Sequence, residues 1–397
     1  MSQADELFSP AGQELLDRLR GLDVTPGQAL RLAEELRGQY DAGLVAAAFT
    51  QQSLRMAGRE KFSRAQDMFF TRSGLEQASS ELAAGHTARR FAGLGPVADL
   101  CCGIGGDLIA LAAAAGPVLA VDADPDTLAF ALRNAAVNHV AEAVTGVCAD
   151  VKELDLGPGA VEAVFIDPAR RGRGQRMRTG DSQPPLDWCF ALSGHVPKIS
   201  IKAAPGLPHD LVPSGWEIEF VAIGRALKEA VLWSPAFATG PRRATILPGG
   251  DTMIERPGAS VPVGEPGGYL LDPNPAVTRA GLVQDLAREA GAWQIDPMIA
   301  FLAADRPVRT PFARTLRVIE SMPWHEKRVA GRLRELGVGS ADIRRRGLAG
   351  DVRQIHRRLG LQGDRSATIV LTRRNDKPWS LICEPVSDAA ASGSVPD

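Results

Sequence analysis

Residues 97–107 read Val97-Ala98-Asp99-Leu100-Cys101-Cys102-Gly103-Ile104-Gly105-Gly106-Asp107, and the fold is decided there. The apolar start predicts a short buried strand over Val97–Cys101, and Leu108–Ala115 predicts a helix. Gly103, Gly105 and Gly106 fill the turn between them, because it demands positive φ and lets a ligand approach bare backbone. Amides at the helix start then face that ligand with their positive dipole end. A second strand, Val118–Val121, ends on Asp122, the position from which a carboxylate grips ribose hydroxyls in a doubly wound sheet. The expectation is a nucleoside-bearing cofactor.

A nicotinamide dinucleotide site would show G-x-G-x-x-G, but Leu108 stands where the third glycine belongs. Asp99 precedes the turn and Asp107 closes it, a pair that repels a pyrophosphate. The same pair would hold a cationic sulfonium with its ammonium group, which suits S-adenosyl-L-methionine.

On these residues the chain resembles the class I S-adenosylmethionine-dependent methyltransferases. Four blocks fall in that family's order: Asp99–Asp107, Leu119-Ala-Val-Asp122, Cys148-Ala-Asp150 and Phe165-Ile-Asp167-Pro168-Ala169-Arg170. The resemblance implies that Asp99, Gly103 and Gly105 cradle the methionine end, Asp122 the ribose, and Asp150 the adenine amino group. It places Asp167 at the tip of the fourth strand beside the transferred methyl. The cofactor set is thus Asp99, Cys101, Gly103, Gly105, Gly106, Asp107, Asp122, Ala123 and Asp150. Asp124 reads as a helix cap, and the adjacent Cys101 and Cys102 as small residues of a buried strand.

The 397 residues allow two or three domains, and no stretch approaches eighteen uninterrupted apolar residues. Five cysteines without a C-x-x-C pair speak against a disulfide framework and a structural zinc site, so no metal is expected and a reducing cytoplasm fits. The N-terminus lacks the apolar run of a signal peptide. The net charge of −2 hides an asymmetry: Arg314–Lys377 holds sixteen Lys and Arg against seven Asp and Glu. A basic module on an acidic body suggests a polyanionic partner.

Residues 1–90 have helical apolar spacing, and the segment before the first strand offers Phe69, Phe70, Thr71 and Arg72 as a cover for the cofactor. Residues 91–250 alternate strand and helix: Pro125–Val137, Val144–Cys148, Val161–Ile166, Leu186–Ser193 and Lys198–Ala203. Trp216–Ile223 and Glu229–Ser234 follow with so short a link that they must be antiparallel. The fold class is therefore α/β: a doubly wound class I methyltransferase sheet with an antiparallel final strand, an N-terminal helical region and a C-terminal α/β domain. Residues 251–313 read as a connector, Pro/Gly-rich over Pro257–Pro275, then a helix over Ala276–Ala290.

The last region predicts strand Thr315–Ser321, helices His325–Leu336 and Asp351–Leu359, and strands Ala367–Thr372 and Trp379–Cys383. Residues 314–386 resemble the THUMP-like domain that follows a methyltransferase domain in a family of bacterial proteins. The phrases Thr315–Trp324, Arg344–Gly347 and Ser366–Arg373 carry that resemblance. Residues 387–397, small and polar, read as a disordered tail.

The fourth-strand block narrows the chemistry. Asp167-Pro168-Ala169-Arg170 lacks the second proline and the aromatic that stack a flipped base in amino-methylating enzymes. It is similar to the block of RNA uracil-C5 methyltransferases, but Ile201-Lys202-Ala203-Ala204-Pro205-Gly206 offers no nucleophilic cysteine after the fifth strand. Resemblance to the trimethylguanosine synthases favours a nitrogen target. Asp167, Pro168 and Lys202 form the catalytic set. Arg170, Arg171 and Arg173, with Arg344, Arg345 and Arg346, are the expected contacts to RNA phosphates. The alternatives are a methyltransferase for a protein or small molecule, and a non-catalytic RNA-binding protein that retains the cofactor fold.

Overall fold

Side-chain oxygens start the helices of the N-terminal region. Ser9 accepts from the Gly12 amide ahead of α2, Asp41 from Gly43 and Leu44 ahead of α4, Thr71 from Gly74 and Ser80 from Ala83. The helices are α1 (Gln3–Phe8), α2 (Pro10–Leu19), α3 (Pro26–Leu36), α4 (Ala42–Gly58), α5 (Arg72–Gln77) and α6 (Glu81–Ala88). Leu15, Leu16, Leu19, Leu36 and Val45 bury their side chains in one cluster with Phe69 and Phe130. Each such side chain contributes about 1.5–3 kcal/mol. The structure, a computed structural model, describes residues 3–22, 26–157, 159–169 and 182–386.

The sheet that follows is built as β1 (Val97–Leu100), α7 (Gly106–Ala114), β2 (Val118–Asp122), α8 (Pro125–Val137), β3 (Val144–Cys148), β4 (Ala163–Ile166), α9 (Leu186–Ala191) and β5 (Lys198–Ala203). It continues through β6 (Glu217–Ile223) and β7 (Ala226–Trp233). The strand order is β3-β2-β1-β4-β5-β7-β6. The first five strands are parallel, and β7 joins β5 antiparallel with Lys202 opposite Val231. The antiparallel pair expected from the short link is present. Burial on both faces explains the continuous apolar run of β4, and in β1 it takes in Asp99 as well as its apolar neighbours.

Contacts divide the chain into two units: Met1–Glu219 with Glu229–Pro241, and Phe220–Lys228 with Arg242–Asp397. The second unit contains the hairpin β8 (Arg242–Leu247) and β9 (Asp251–Ile254), then β10 (Tyr269–Pro273), α10 (Pro275–Ala280), α11 (Val283–Ala290), β11 (Trp293–Gln294) and β12 (Leu302–Ala304). After these come β13 (Ala313–Pro323), α12 (Glu326–Glu335), β14 (Val338–Arg345), α13 (Val352–Leu359), β15 (Arg365–Arg374) and β16 (Lys377–Pro385). A seven-stranded sheet runs β11-β12-β10-β13-β16-β15-β14, and β14 lies parallel to β15. Val329, Leu333, Ile355 and Leu359 of α12 and α13 pack with Val338, Ile369, Leu371 and Ile382.

Three readings differ from the structure. The Pro/Gly-rich connector contains β10, whose Leu270, Leu271 and Asp272 are buried between neighbouring strands. The single helix over 276–290 is two helices, broken where Gly281 takes φ +75° at the end of α10. The strand β14, carrying Arg344 and Arg345, was not anticipated. No helix among the described residues is long and apolar enough to cross a membrane.

Candidate active site

Strand order reverses between β1 and β4, and the carboxyl ends of those strands are where an open α/β sheet binds ligands. The chain leaves β1 through a turn in which Cys101, Gly103 and Gly105 take φ values of +62°, +56° and +86°. A Cβ on Gly105 would lie 3.2 Å from the Ala131 Cα of α8, so close helix approach and backbone conformation both require glycine there. A Cβ on Gly103 would meet nothing within 4 Å. That face of the turn is open to a ligand. Asp122 at the end of β2 accepts from the Gly103 amide at 3.0 Å and from the Asp124 amide at 3.0 Å, pinning the turn to the neighbouring strand. Burial raises the Asp122 carboxyl above its ordinary range, and these amides oppose the rise. Asp124 caps α8 through the Thr127 amide, as its context predicts. The Cys101 and Cys102 thiols are both pushed up by burial, which leaves them unreactive.

Carboxyl groups crowd beneath this turn. Asp99 on β1 is 1 % exposed, and neither of its carboxyl oxygens has a hydrogen-bond partner among the described residues. Burial, reinforced by Asp107 and Asp167, raises it well above the usual carboxylate range. The ammonium of Lys202, at the end of β5, donates to Asp167 Oδ2 at 2.7 Å and to Asp107 Oδ2 at 3.1 Å. Burial works against its charge, but Asp107 and Asp167 outweigh that and hold it charged. Glu229 on β7 is buried beside it and accepts from the Ser79 hydroxyl at 3.1 Å. Desolvation pushes Glu229 up to about 7 despite the pull of Lys202. Asp99, Asp107, Asp167 and Glu229 together thus exceed the one ammonium among them.

A cavity opens over this cluster, lined by Thr71, Gly74, Gly103, Asp107, Asp122, Asp167 and Pro168 among others. The residues present fit S-adenosylmethionine: a surplus of buried carboxyl groups for its sulfonium and ammonium groups, and an unobstructed glycine turn. Cys101 and Gly106 also line this space, whereas the exposed Ala123 lies just past Asp122. Asp150, after β3, accepts from the Lys152 amide at 3.0 Å at an exposed turn. Of the expected cover, Thr71 lines the cavity, while Phe69 and Phe70 are buried in the core.

Three residues were not singled out from the sequence: Ser79, Glu229 and Asn134. Fully buried Asn134 on α8 accepts from the Phe69 amide at 2.7 Å and donates to the Phe69 and Ile104 carbonyls at 2.9 Å. It ties the segment before α5 to the glycine turn.

Arg170, Arg171 and Arg173 lie outside the described residues. In the second unit Arg344 ion-pairs with Asp342 at 3.0 Å, and Arg345 donates to the Leu348 carbonyl. Arg346 turns onto buried Asp272 at 3.1 Å and lies over the Phe301 ring. Burial lowers its pKa, with Asp272 working against that shift. Arg225 donates to the same Asp272 at 2.8 Å, and Arg314 and Arg344 approach it at 3.9 and 4.0 Å.

Three family models match the chain. One for RNA cap guanine-N2 methyltransferase covers residues 95–193, one for a THUMP-like domain 313–385, and one for a domain of unknown function 1–58. An uncharacterized S-adenosylmethionine-dependent methyltransferase of Mycobacterium tuberculosis (strain H37Rv) is 37 % identical over 313 residues, 77 % of this chain and 84 % of its own length. The 23S rRNA uracil-C5 methyltransferase RlmD of Acidithiobacillus ferrooxidans is 32 % identical over 87 residues, 21 % of this chain and 20 % of its own. A crystal structure described as a candidate methyltransferase from Porphyromonas gingivalis W83 shares the fold, with a TM-score of 0.76 at 21 % identity, over 94 % of this chain and 99 % of that one. With its carboxylate-lined glycine turn and its C-terminal THUMP-like domain, the chain belongs to the S-adenosylmethionine-dependent methyltransferases.

Proposed function

We propose that this methyltransferase acts on RNA and transfers its methyl group to a base nitrogen. The observation that carries the reading is Asp167-Pro168 on the wall of the carboxylate-lined cavity, with Asp167 fixed by Lys202 at 2.7 Å. When bound, S-adenosylmethionine supplies an electrophilic methyl group. Asp99 and Asp107 hold its cationic end, Gly103, Gly105 and Gly106 admit it to the backbone, and Asp122 takes the ribose, with Cys101, Ala123 and Asp150 completing that set.

Asp167 and the Pro168 carbonyl accept hydrogens from the target amine, so that its lone pair points at the methyl carbon. Lys202 holds Asp167 in place. Positioning of this kind contributes most of the acceleration in an in-line displacement. The proton released from nitrogen passes to solvent. The absence of a cysteine after β5 favours this route over covalent addition to a pyrimidine ring, even though part of the chain is similar to a uracil-C5 enzyme. The match to an RNA cap guanine-N2 methyltransferase model supports the choice of an amino nitrogen. Arg344 and Arg345, and the arginines of residues 170–173, contribute phosphate contacts that position the RNA without reading its sequence. Arg346 fixes the backbone of that region through Asp272.

The test is purified protein with methyl-tritiated S-adenosylmethionine and total RNA, followed by nucleoside mass spectrometry. Label on an amino-methylated nucleoside is expected. Label confined to protein or small molecules overturns the reading, as does cofactor binding with no transfer.

A further inference from the structure

We propose that Glu229 is a positioning residue: it becomes the counter-ion of Lys202 when the cationic end of the cofactor occupies Asp107, and its proton leaves as the cofactor enters. This rests on the placement of the cofactor's ammonium against Asp107 given above, and on no particular methyl acceptor.

Glu229 is 4 % exposed on β7 and stands behind the cavity rather than in its wall. Antiparallel pairing sets Lys202 opposite Val231, and alternation along β7 turns Glu229 to the same face of the sheet. An ammonium has three hydrogens to donate. Lys202 commits one to Asp167 Oδ2 and one to Asp107 Oδ2. Glu229 accepts from the Ser79 hydroxyl at 3.1 Å. Ser79 follows Ala78, which lines the cavity, so that hydroxyl belongs to the segment that walls in the cofactor.

The charged groups acting on Glu229 are Lys202 from β5, Asp107 from α7 and Asp167 past β4. Asp99 on β1 faces the same three. Burial disfavours the negative charge of Glu229, Lys202 favours it, Asp107 and Asp167 oppose it, and the Ser79 hydroxyl favours it. The balance pushes the carboxyl up to about 7.

A cofactor ammonium on Asp107 alters two of these influences at once. It cancels the charge by which Asp107 repels Glu229, and it takes over the oxygen that Lys202 was holding. Lys202 keeps Asp167 and turns its released hydrogen toward Glu229. The O–H bond of Glu229 then breaks, the electron pair stays on the carboxylate, and the proton goes to solvent. One positive charge enters against Asp107 as one leaves from Glu229. Cofactor occupancy is thereby passed to the residue that holds Asp167.

The experiment is calorimetric titration of the full chain with S-adenosylhomocysteine, which carries the ammonium and transfers no methyl group. It is run in buffers of different ionisation enthalpy from about pH 5.5 to pH 8.5. Near pH 7 the parent should release about 0.3–0.5 proton more than Glu229→Gln, the value for a roughly tenfold fall in one carboxyl's proton affinity. Across the same range the parent's affinity should gain about tenfold more than the variant's. Asp99 contributes to both proteins, so the difference between them isolates Glu229. Ser79→Ala should move the release to higher pH, because a hydroxyl that favours the charged form is gone. A merely structural role would change affinity and leave the proton count alone. Equal proton release by parent and Glu229→Gln, with binding intact, overturns the proposal and leaves Asp107 on the cofactor. Release by Ser79→Ala at the parent's pH does the same, and decides the matter if Glu229→Gln fails to fold. An Asp107→Asn protein that matches the parent in affinity and proton release overturns the cofactor placement and this proposal with it.

Discussion

Lys202 in the first unit sits among the carboxyl groups of Asp99, Asp107, Asp167 and Glu229, whereas Asp272 in the second sits among the guanidiniums of Arg225, Arg314, Arg344 and Arg346. Each cluster has one buried ion surrounded by an excess of the opposite sign. They differ in how the excess is tolerated. Carboxyl groups shed charge by taking up protons, and Asp99 and Glu229 are raised accordingly. Guanidiniums keep their charge at any ordinary pH, so the second cluster is built with carbonyls, a hydroxyl and a ring around Arg346. The acidic cluster therefore responds to pH and to a cationic ligand, while the basic one is a rigid frame.

Removing the central ion of the rigid frame is the most severe way to break this contrast. Asp272→Ala leaves several arginines around an empty position, and stability by chemical denaturation should fall by about 3–5 kcal/mol. A loss below about 1 kcal/mol would show that the arginines do not depend on it. In the acidic cluster, Asp167→Asn should lower methyl transfer about 100-fold with cofactor affinity nearly kept, since it mis-positions the acceptor. Single-turnover rates with calorimetry would separate those two effects.

Asp99→Asn sharpens the contrast further. Cofactor affinity by calorimetry should drop about 10–100-fold, the value of a buried hydrogen bond to a charged group. Folded stability near pH 8 should not fall, because the substitution removes a carboxyl that burial already disfavours.

The smallest effect concerns Glu229. Its carboxyl is raised from 4.5 to about 7, so the folded state binds more protons than the unfolded state between those values. Its contribution to stability should decline as pH rises through that window and level off above it. Thermal melts at about pH 5 and pH 7.5 should differ by a few degrees in the parent and by less in Glu229→Gln, where the raised Asp99 still contributes.

Much of the first unit was legible because its signals are local. The apolar run of β4, the short β1 with its Asp99, the glycines of the turn and the carboxylate at the end of β2 each lie within a short window. What was missed depends on long-range register. Glu229 is an ordinary strand residue until antiparallel pairing of β5 with β7 brings it beside Lys202. In the second unit β14 was hidden because it is an edge strand with a single fully buried position, so Arg344 and Arg345 break the apolar alternation. Strand β10 was hidden by the prolines and glycines around it, although Leu270 and Leu271 are fully buried.

Asn134 spans two parts of the polypeptide that composition alone would separate, the leading helices and the nucleotide-type sheet. Any shortened form starting at Val97 would remove its two bonds to Phe69 and keep only that to Ile104, at about 1–3 kcal/mol for each unmet group. The leading helices are thus inherited with the sheet as one piece, and grafting the catalytic half onto another protein requires carrying the preceding ninety-odd residues along with it.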